Sequence, residues 1–533
     1  MNKPIRRVAV ALAVLFLALF VNLNYVQVVK GGDYRDDARN QRQLLNEYST
    51  PRGQIVVQGK AVADSRKTSD ELKYLRVYPQ GKLYAPVTGY FSFTHNATGI
   101  EAAEDGILSG DSSELFTTKL ADILTGRNPR GGSVQLTLNR AAQQAAYNAM
   151  RTAHGFKRGA VVALDPTTGA ILALVSTPSF DPNLVSSHNS AGNAKAYSDY
   201  IKDKDQPMLN RALQQNYPAG SIFKIIDSAA ALKDGITSSK RIPARNSYWP
   251  LDPGRTSPCP SSLSAPCVEN FEGETCDNGT TATLAFALAK SCNTAFAALA
   301  VNLGGGKIAE QAHEFGFDEP YAGSRPPDFC QPPALTIPLG VCASSPGSQQ
   351  DLLVDNAALA QTAFGQRDVR ITPLQAAMLS SAVAFNGTLM KPYLVQCELR
   401  PNFSVLNETS PEQQSQVLDP DLDQELIKMM EGVVTSPEGT GGPANITDIP
   451  DVVVGGKTGT ADVGKTSGSG LEPDAWFTGF GLVKGEPKIA VAVVMENAGV
   501  SGNEVTGGEA AGPVARKVME AYLKSSPQAE TKC

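Results

Sequence analysis

Ser221-Ile222-Phe223-Lys224 sets a hydroxyl and an amine three residues apart, on one face of any helix that carries them. A serine hydroxyl is a weak nucleophile at neutral pH and needs a neighbouring base to accept its proton. A lysine can act as that base when burial or a second cation holds it neutral. Pro218 and Gly220, just upstream, suit a turn that opens a helix. A helix N-terminus in turn favours developing negative charge. Alone the tetrapeptide is weak, since S-x-x-K arises by chance about once or twice in a chain of this length.

Its company in the chain is more selective. Ser291-Cys292-Asn293 follows as S-x-N, and Lys457-Thr458-Gly459-Thr460 as K-T-G-T. S-x-x-K and K-T-G each occur once. S-x-N also occurs at Ser187-His188-Asn189 and Ser501-Gly502-Asn503, but only Ser291 lies between the other two motifs. The three in this order are the signature of class A β-lactamases and penicillin-binding proteins. Longer stretches carry the likeness further: Gly159–Ser176, Ser179-Phe180-Asp181-Pro182-Asn183, Asn210-Arg211-Ala212, Thr372-Pro373-Leu374-Gln375-Ala376-Ala377 and Asp474-Ala475-Trp476-Phe477-Thr478-Gly479-Phe480. On these residues the chain resembles a class B penicillin-binding protein, most like the short actinobacterial PbpA type. The detailed match spans roughly residues 130–525; upstream, Pro51-Arg52-Gly53-Gln54-Ile55 and Thr137-Leu138-Asn139 are the best anchors.

The resemblance implies acyl transfer. Ser221 would attack the carbonyl between two D-alanines of a peptidoglycan stem peptide, release D-alanine and form an acyl-enzyme; Lys224 would be the base. Ser291 would relay a proton to the leaving nitrogen, and Asn293 would bond the donor's backbone and orient Lys224. Lys457 and Thr458 would hold the substrate's terminal carboxylate, with the charge of Lys457 helping to keep Lys224 neutral. Gly459 would let a ligand lie close against its strand. The N–H groups of Ser221 and Thr460 would form the oxyanion hole. β-Lactams, which imitate D-Ala-D-Ala, would acylate Ser221. The bland alternatives are a polar pair capping a helix at Ser291 and Asn293, and a structural ion pair at Lys457.

A serine β-lactamase shares the motifs but typically carries a deacylating glutamate in E-x-x-L-N, which is missing between Asn293 and Lys457. A D,D-carboxypeptidase differs only in passing the acyl group to water. A non-catalytic sensor coupled to a metalloprotease would carry H-E-x-x-H, and a scaffold would tolerate motif loss; here all three motifs stand.

These side chains need a frame. Val161–Leu164 and Ile171–Val175 are apolar runs joined by Asp165-Pro166-Thr167-Thr168-Gly169, a hairpin signal. Ser221–Leu232, Thr281–Lys290 and Asn293–Leu303 read as helices; Val452–Thr460, Ala475–Gly481 and Ile489–Glu496 as strands; Gly512–Leu523 as a closing helix. Strands at both ends with helices between them predict a mixed α/β domain over 156–526 with an antiparallel sheet. The resemblance makes this five strands with helices on both faces. Residues 31–155, with a hairpin over 52–65 around Gly59 and a helix over Ala141–Met150, read as a stalk or docking domain, and 527–533 as a polar tail.

Lys3, Arg6 and Arg7 precede an apolar run from Val8 that continues to Val29, long enough to span a bilayer. No A-x-A-like site follows Val21, so residues 1–30 read as a retained anchor rather than a cleaved signal peptide. The basic flank predicts a cytoplasmic N-terminus and an extracellular catalytic domain. A net charge of −6 argues against a nucleic-acid partner. The family analogy implies a SEDS-type glycan polymerase as membrane partner. No cofactor is called for.

Eight cysteines fit an exported chain. Disulfides among Cys259, Cys267, Cys276, Cys330 and Cys342 are expected, with the pairing open. Cys292 is expected as a buried free thiol and Cys533 as free. With four histidines, no C-x-x-C and no H-E-x-x-H, a metal site is not expected.

Overall fold

The computed structural model describes residues 3–26, 30, 48–115, 124–125, 130–153, 158–260, 266–322, 329–330, 333, 335–461, 473–498, 506–525 and 533. The expected domain start at Phe156, the S-x-N copy at Ser501, residues 27–29 of the apolar run and the tail over 527–532 lie outside them. Helix α1 (Lys3–Asn24) has a mean hydropathy of 2.2 and no buried residue, and is long and apolar enough to cross a membrane. It fits a single-pass anchor.

In chain order there follow β1 (Ile55–Val57), β2 (Lys60–Lys67), β3 (Tyr74–Val77), β4 (Ser133–Leu136), α2 (Arg140–Thr152), β5 (Gly159–Leu164) and β6 (Ile171–Thr177). Next are α3 (Lys224–Lys233), α4 (Leu284–Lys290), α5 (Asn293–Leu303), α6 (Pro373–Ala384), β7 (Val395–Leu399), β8 (Val405–Glu408) and α7 (Pro420–Thr435). The chain closes with β9 (Val452–Ala461), β10 (Asp474–Val483), β11 (Glu486–Met495) and α8 (Gly512–Lys524).

Two sheets organise these elements. The first runs β8-β7-β4-β1-β2-β3 and contains the hairpin expected around Gly59. Its outer members β7 and β8 come from residues 395–408, so this sheet joins early and late parts of the chain. Beside it Arg52 and Arg76 share the buried carboxylate of Glu101, at 2.7 and 2.6 Å, which gives Pro51-Arg52-Gly53 a structural role. Buried charges persist only when paired in this way.

The second sheet is antiparallel and five-stranded, in the order β9-β10-β11-β5-β6. Its strands read as near-continuous apolar runs because both faces are covered. Ala490, Ala492 and Val494 of β11 join one core, while Ile489, Val491, Val493 and Met495 join the other. Helix α6 covers the first face; α2 and α8 cover the second. All twelve residues of α6 are buried, which accounts for its uniform apolarity. Thr372 caps it by accepting from Gln375 N, and Pro373 takes the first helical position. Helix α2 was expected among the N-terminal elements, but it packs on β6 and α8 of this sheet.

Two helix starts differ from the sequence reading. The turn Gly220–Phe223 is a 3-10 segment, and the α-helix begins at Lys224. Thr281–Thr283 is a short strand paired with Arg241–Pro243, and α4 starts only after Thr283, whose side chain caps it. The β-branched threonines favour the extended form, and a threonine hydroxyl serves best outside the helix it caps.

Candidate functional site

The turn that carries Ser221 is held from the sheet side. Trp476 of β10 donates its indole N–H to Pro218 O at 3.1 Å and meets the Tyr217 ring edge-on at 5.8 Å. The Tyr217 hydroxyl donates to Glu496, which also pairs with Arg211 and Arg158. Gly220 has a φ of +55°, and a Cβ there would lie 2.9 Å from Thr460 O, so the turn can press against β9 only with glycine. Ser221 and Thr460 are thereby neighbours.

Ser291 sits in the αL conformation (φ +64°) as the C-cap of α4, and Asn293 is the first residue of α5. Neither side chain caps a helix, so the bland reading of this pair fails. An αL serine is a costly conformation, of the kind that clusters at functional sites. Here it turns the side chain and carbonyl of Ser291 toward Lys224.

All three motifs meet at two buried amines. Lys224 Nζ lies 3.0 Å from Ser221 Oγ, 2.8 Å from Ser291 O, 3.1 Å from Ser291 Oγ and 2.7 Å from Asn293 Oδ1. Lys457 Nζ lies 2.9 Å from Ser291 Oγ and 2.9 Å from Thr458 O. The Ser291 hydroxyl therefore bridges the two lysines. Among the described residues Lys457 Nζ meets these oxygens and no carboxylate, which gives the structural ion pair no support there. Burial holds the Lys224 pKa well below the ordinary lysine value, helped by the Lys457 charge and opposed by Asp227. Burial also brings Lys457 down to about 7.

Thr458 is nearly buried, and its hydroxyl lies 2.6 Å from that of Thr440, a contact that the sequence reading missed. For Gly459 the structure adds a steric reason beside the one expected. A Cβ there would meet Trp476 Cβ at 3.0 Å, Ile222 Cγ2 at 3.2 Å and Ala219 O at 3.3 Å. The missing side chain makes room for the turn that carries Ser221.

The cysteines correct two expectations. Cys292 is buried but not free: it is bridged to Cys276. Cys533 is bridged to Cys397 of β7. The remaining bridges are Cys259–Cys267 and Cys330–Cys342. Cys292 and Cys276 face each other because the segment carrying Cys276 packs over the start of α5, a tertiary contact that spacing does not encode.

Asp227, one turn after Lys224 on the same helix face, is fully buried, and its carboxyl oxygens have no hydrogen-bond partner among the described residues. Burial pushes its pKa well above the ordinary carboxylate value, against the Lys224 charge. A carboxyl raised in this way contributes fully to stability below its unfolded pKa and loses about 1.4 kcal/mol per pH unit as pH climbs toward the folded value. Asp227→Asn is therefore expected to melt several degrees above the parent protein at neutral pH, with the gap closing toward about pH 4. Calorimetry across that range checks it, and a gap of constant size would contradict the assignment.

Comparison with known proteins agrees with this geometry. Residues 159–520 match the family described as penicillin binding protein transpeptidase domain, and residues 52–134 the one described as penicillin binding protein A dimerisation domain. The peptidoglycan D,D-transpeptidase PbpA of Mycolicibacterium smegmatis is 41% identical over 527 residues, 98% of this chain and 99% of its own. Its namesake from Mycobacterium tuberculosis is 40% identical over 528 residues, 99% of this chain and 100% of its own. The ceftriaxone acyl-enzyme structure of M. tuberculosis penicillin-binding protein A matches with a TM-score of 0.79 at 39% identity, covering 90% of this chain and 100% of that one. The penicillin G acyl-enzyme of the same protein matches at 0.78 and 38%, covering 89% and 100%. With relatives matched end to end and the three motifs converging on one pair of lysines, the chain belongs to the class B penicillin-binding protein transpeptidase family.

Proposed function

We propose that the protein is a serine D,D-transpeptidase that cross-links peptidoglycan stem peptides and is acylated by β-lactams at Ser221. The observation that carries this reading is the set of contacts around Lys224. A neutral amine has two N–H bonds and one lone pair. Ser291 O and Asn293 Oδ1 can only accept, so they take the two hydrogens, and the lone pair is left for the Ser221 hydroxyl. Lys224 is the base, kept neutral by burial and by Lys457.

Attack by Ser221 Oγ on the carbonyl between two D-alanines passes the hydroxyl proton to Lys224 and places negative charge on the carbonyl oxygen. The N–H groups of Ser221 and Thr460 receive that charge. Collapse breaks the peptide C–N bond. The proton reaches the leaving nitrogen through Ser291 Oγ, which lies within reach of Lys224 Nζ. Thr458 and Lys457 receive the donor's carboxylate, and that anion favours the charged form of Lys457, which in turn disfavours charge on Lys224. Asn293 orients both Lys224 and the donor backbone. An acceptor amine then takes the acyl group from Ser221.

A stalk or docking part over 31–155 and a catalytic part over 156–526 are supported by the separate family matches over 52–134 and 159–520, with α2 packing on the catalytic sheet and β7 and β8 completing the other. The basic residues ahead of α1 support a cytoplasmic N-terminus with the catalytic part outside. A SEDS-type glycan polymerase is the membrane partner by family analogy, with α1 available for the contact.

The test offers the full-length protein a donor pentapeptide stem with and without an acceptor stem peptide. Cross-linked dimer together with D-alanine is expected. Free tetrapeptide with no dimer at any acceptor concentration would make the enzyme a D,D-carboxypeptidase.

A further inference from the structure

One short segment grips three successive residues of the S-x-N region. Asn270 Oδ1 accepts from Thr294 N and from Thr294 Oγ1, each at 3.1 Å. Asn293 Nδ2 donates to Glu269 O at 3.3 Å. Cys276 is bonded to Cys292. Residues 292, 293 and 294 are thus each held by the arm Val268–Cys276. The arm is itself anchored by pairing of Val268 and Glu269 with Tyr248 and Ser247, and by Asn270 Nδ2 donating to Glu274 O.

The need for this arm follows from the helix it meets. Cys292 is the N-cap of α5 and its side chain makes no capping bond, being committed to the disulfide. The exposed N–H groups of a helix start need an acceptor, usually from the cap residue itself. Asn270 supplies it from elsewhere in the chain and is nearly buried while doing so. The Glu269 carbonyl has a further effect. An amide side chain can present either oxygen or nitrogen, and a carbonyl beside Nδ2 makes one orientation much the better. With Nδ2 facing Glu269 O, Oδ1 faces Lys224, at 2.7 Å. The opposite orientation would aim N–H bonds at Lys224 and occupy the lone pair needed by Ser221.

We propose that Asn270 is a positioning residue: through Thr294 and the Glu269 carbonyl beside it, the arm fixes the amide of Asn293 and so the free lone pair of Lys224. This rests on the reading of Lys224 as the base. The experiment measures acylation of the detergent-solubilised full chain by fluorescent penicillin, separating pre-covalent affinity from the first-order acylation rate. Asn270→Ala is expected to lower the first-order rate about tenfold with affinity little changed, the scale of one lost hydrogen bond to a working group. Asn270→Asp, which keeps the accepting oxygen, is expected to stay within about threefold of the parent. In an Asn293→Ala background, Asn270→Ala is expected to cost nothing further, because the group it positions is gone.

An unchanged rate in Asn270→Ala, or the same tenfold loss in the Asn293→Ala background, would overturn the proposal. A parent protein that takes no label at all would instead overturn the function on which it rests.

Discussion

Ser221→Ala is expected to give a folded protein that takes no fluorescent penicillin label above background. The mutation removes one hydroxyl at the site, so cooperative melting within a degree or two of the parent is expected. The informative rival is Ser291. Its hydroxyl lies between Lys224 and Lys457, at 3.1 and 2.9 Å, and is the other oxygen at the site close enough to a base to act as a nucleophile. One feature disfavours it: Lys457 donates to it and lowers its nucleophilicity. Ser221 opens the helix into α3, so anion developing on a substrate there meets a positive helix end, whereas Ser291 lies between the C-terminus of α4 and the N-terminus of α5. Full labelling of Ser221→Ala with the adduct mapped to Ser291 would reassign the nucleophile; loss of label with normal melting supports Ser221.

Lys224→Met is expected to lower the acylation rate by about 10²–10⁴-fold, the usual range for a general base, while the folded protein persists. Methionine matches the length and apolarity of the stem that Lys224 buries, so packing is retained. The charge states give a second signature. The Lys224 pKa is lowered in the fold, so the unfolded chain binds more protons between the folded value and the ordinary lysine value. Stability of the parent therefore rises with pH across that window, and the slope should become shallower in Lys224→Met. Acylation by the parent should likewise fall on the acid side as Lys224 takes up a proton, and this limb should vanish with the lysine. Stopped-flow acylation and pH-dependent melting on the same samples check both signatures. A Lys224→Met protein that keeps the parent's acid limb would move the base elsewhere, with Lys457 the nearest alternative amine.

The readable parts of the fold were those whose pattern is local. β9, β10, β11, the β5–β6 hairpin and α8 appeared as apolar runs bounded by turn residues, and each was found within about three residues of the expected limits. The long apolar runs did not reveal which face each side chain would join, since both faces of that sheet are buried. The switch from strand to helix at Thr283 and the tight turn at Ser221 were not legible either, because threonine and small residues tolerate both states. Cys292 illustrates the same limit from chemistry. Its apolar neighbours pointed to a buried thiol, and burial was right, but the partner lies 16 residues away on an arm whose path is set by packing.

For the site itself, residue type and order picked out the groups that the fold brings together: a serine and lysine at i and i+3, an S-x-N and a K-T-G-T. Order in the chain identifies such groups because each brings its own chemistry. It does not say how they meet. Only the tertiary structure decided that Ser291 would adopt the αL conformation, that Gly459 would yield its space to Ile222 and Ala219, and that Asn293 would be oriented by Glu269. The same holds for the charge on Lys224. Sequence places an amine beside a hydroxyl, but its pKa depends on burial and on Lys457, 233 positions further along the chain and brought close only by the fold.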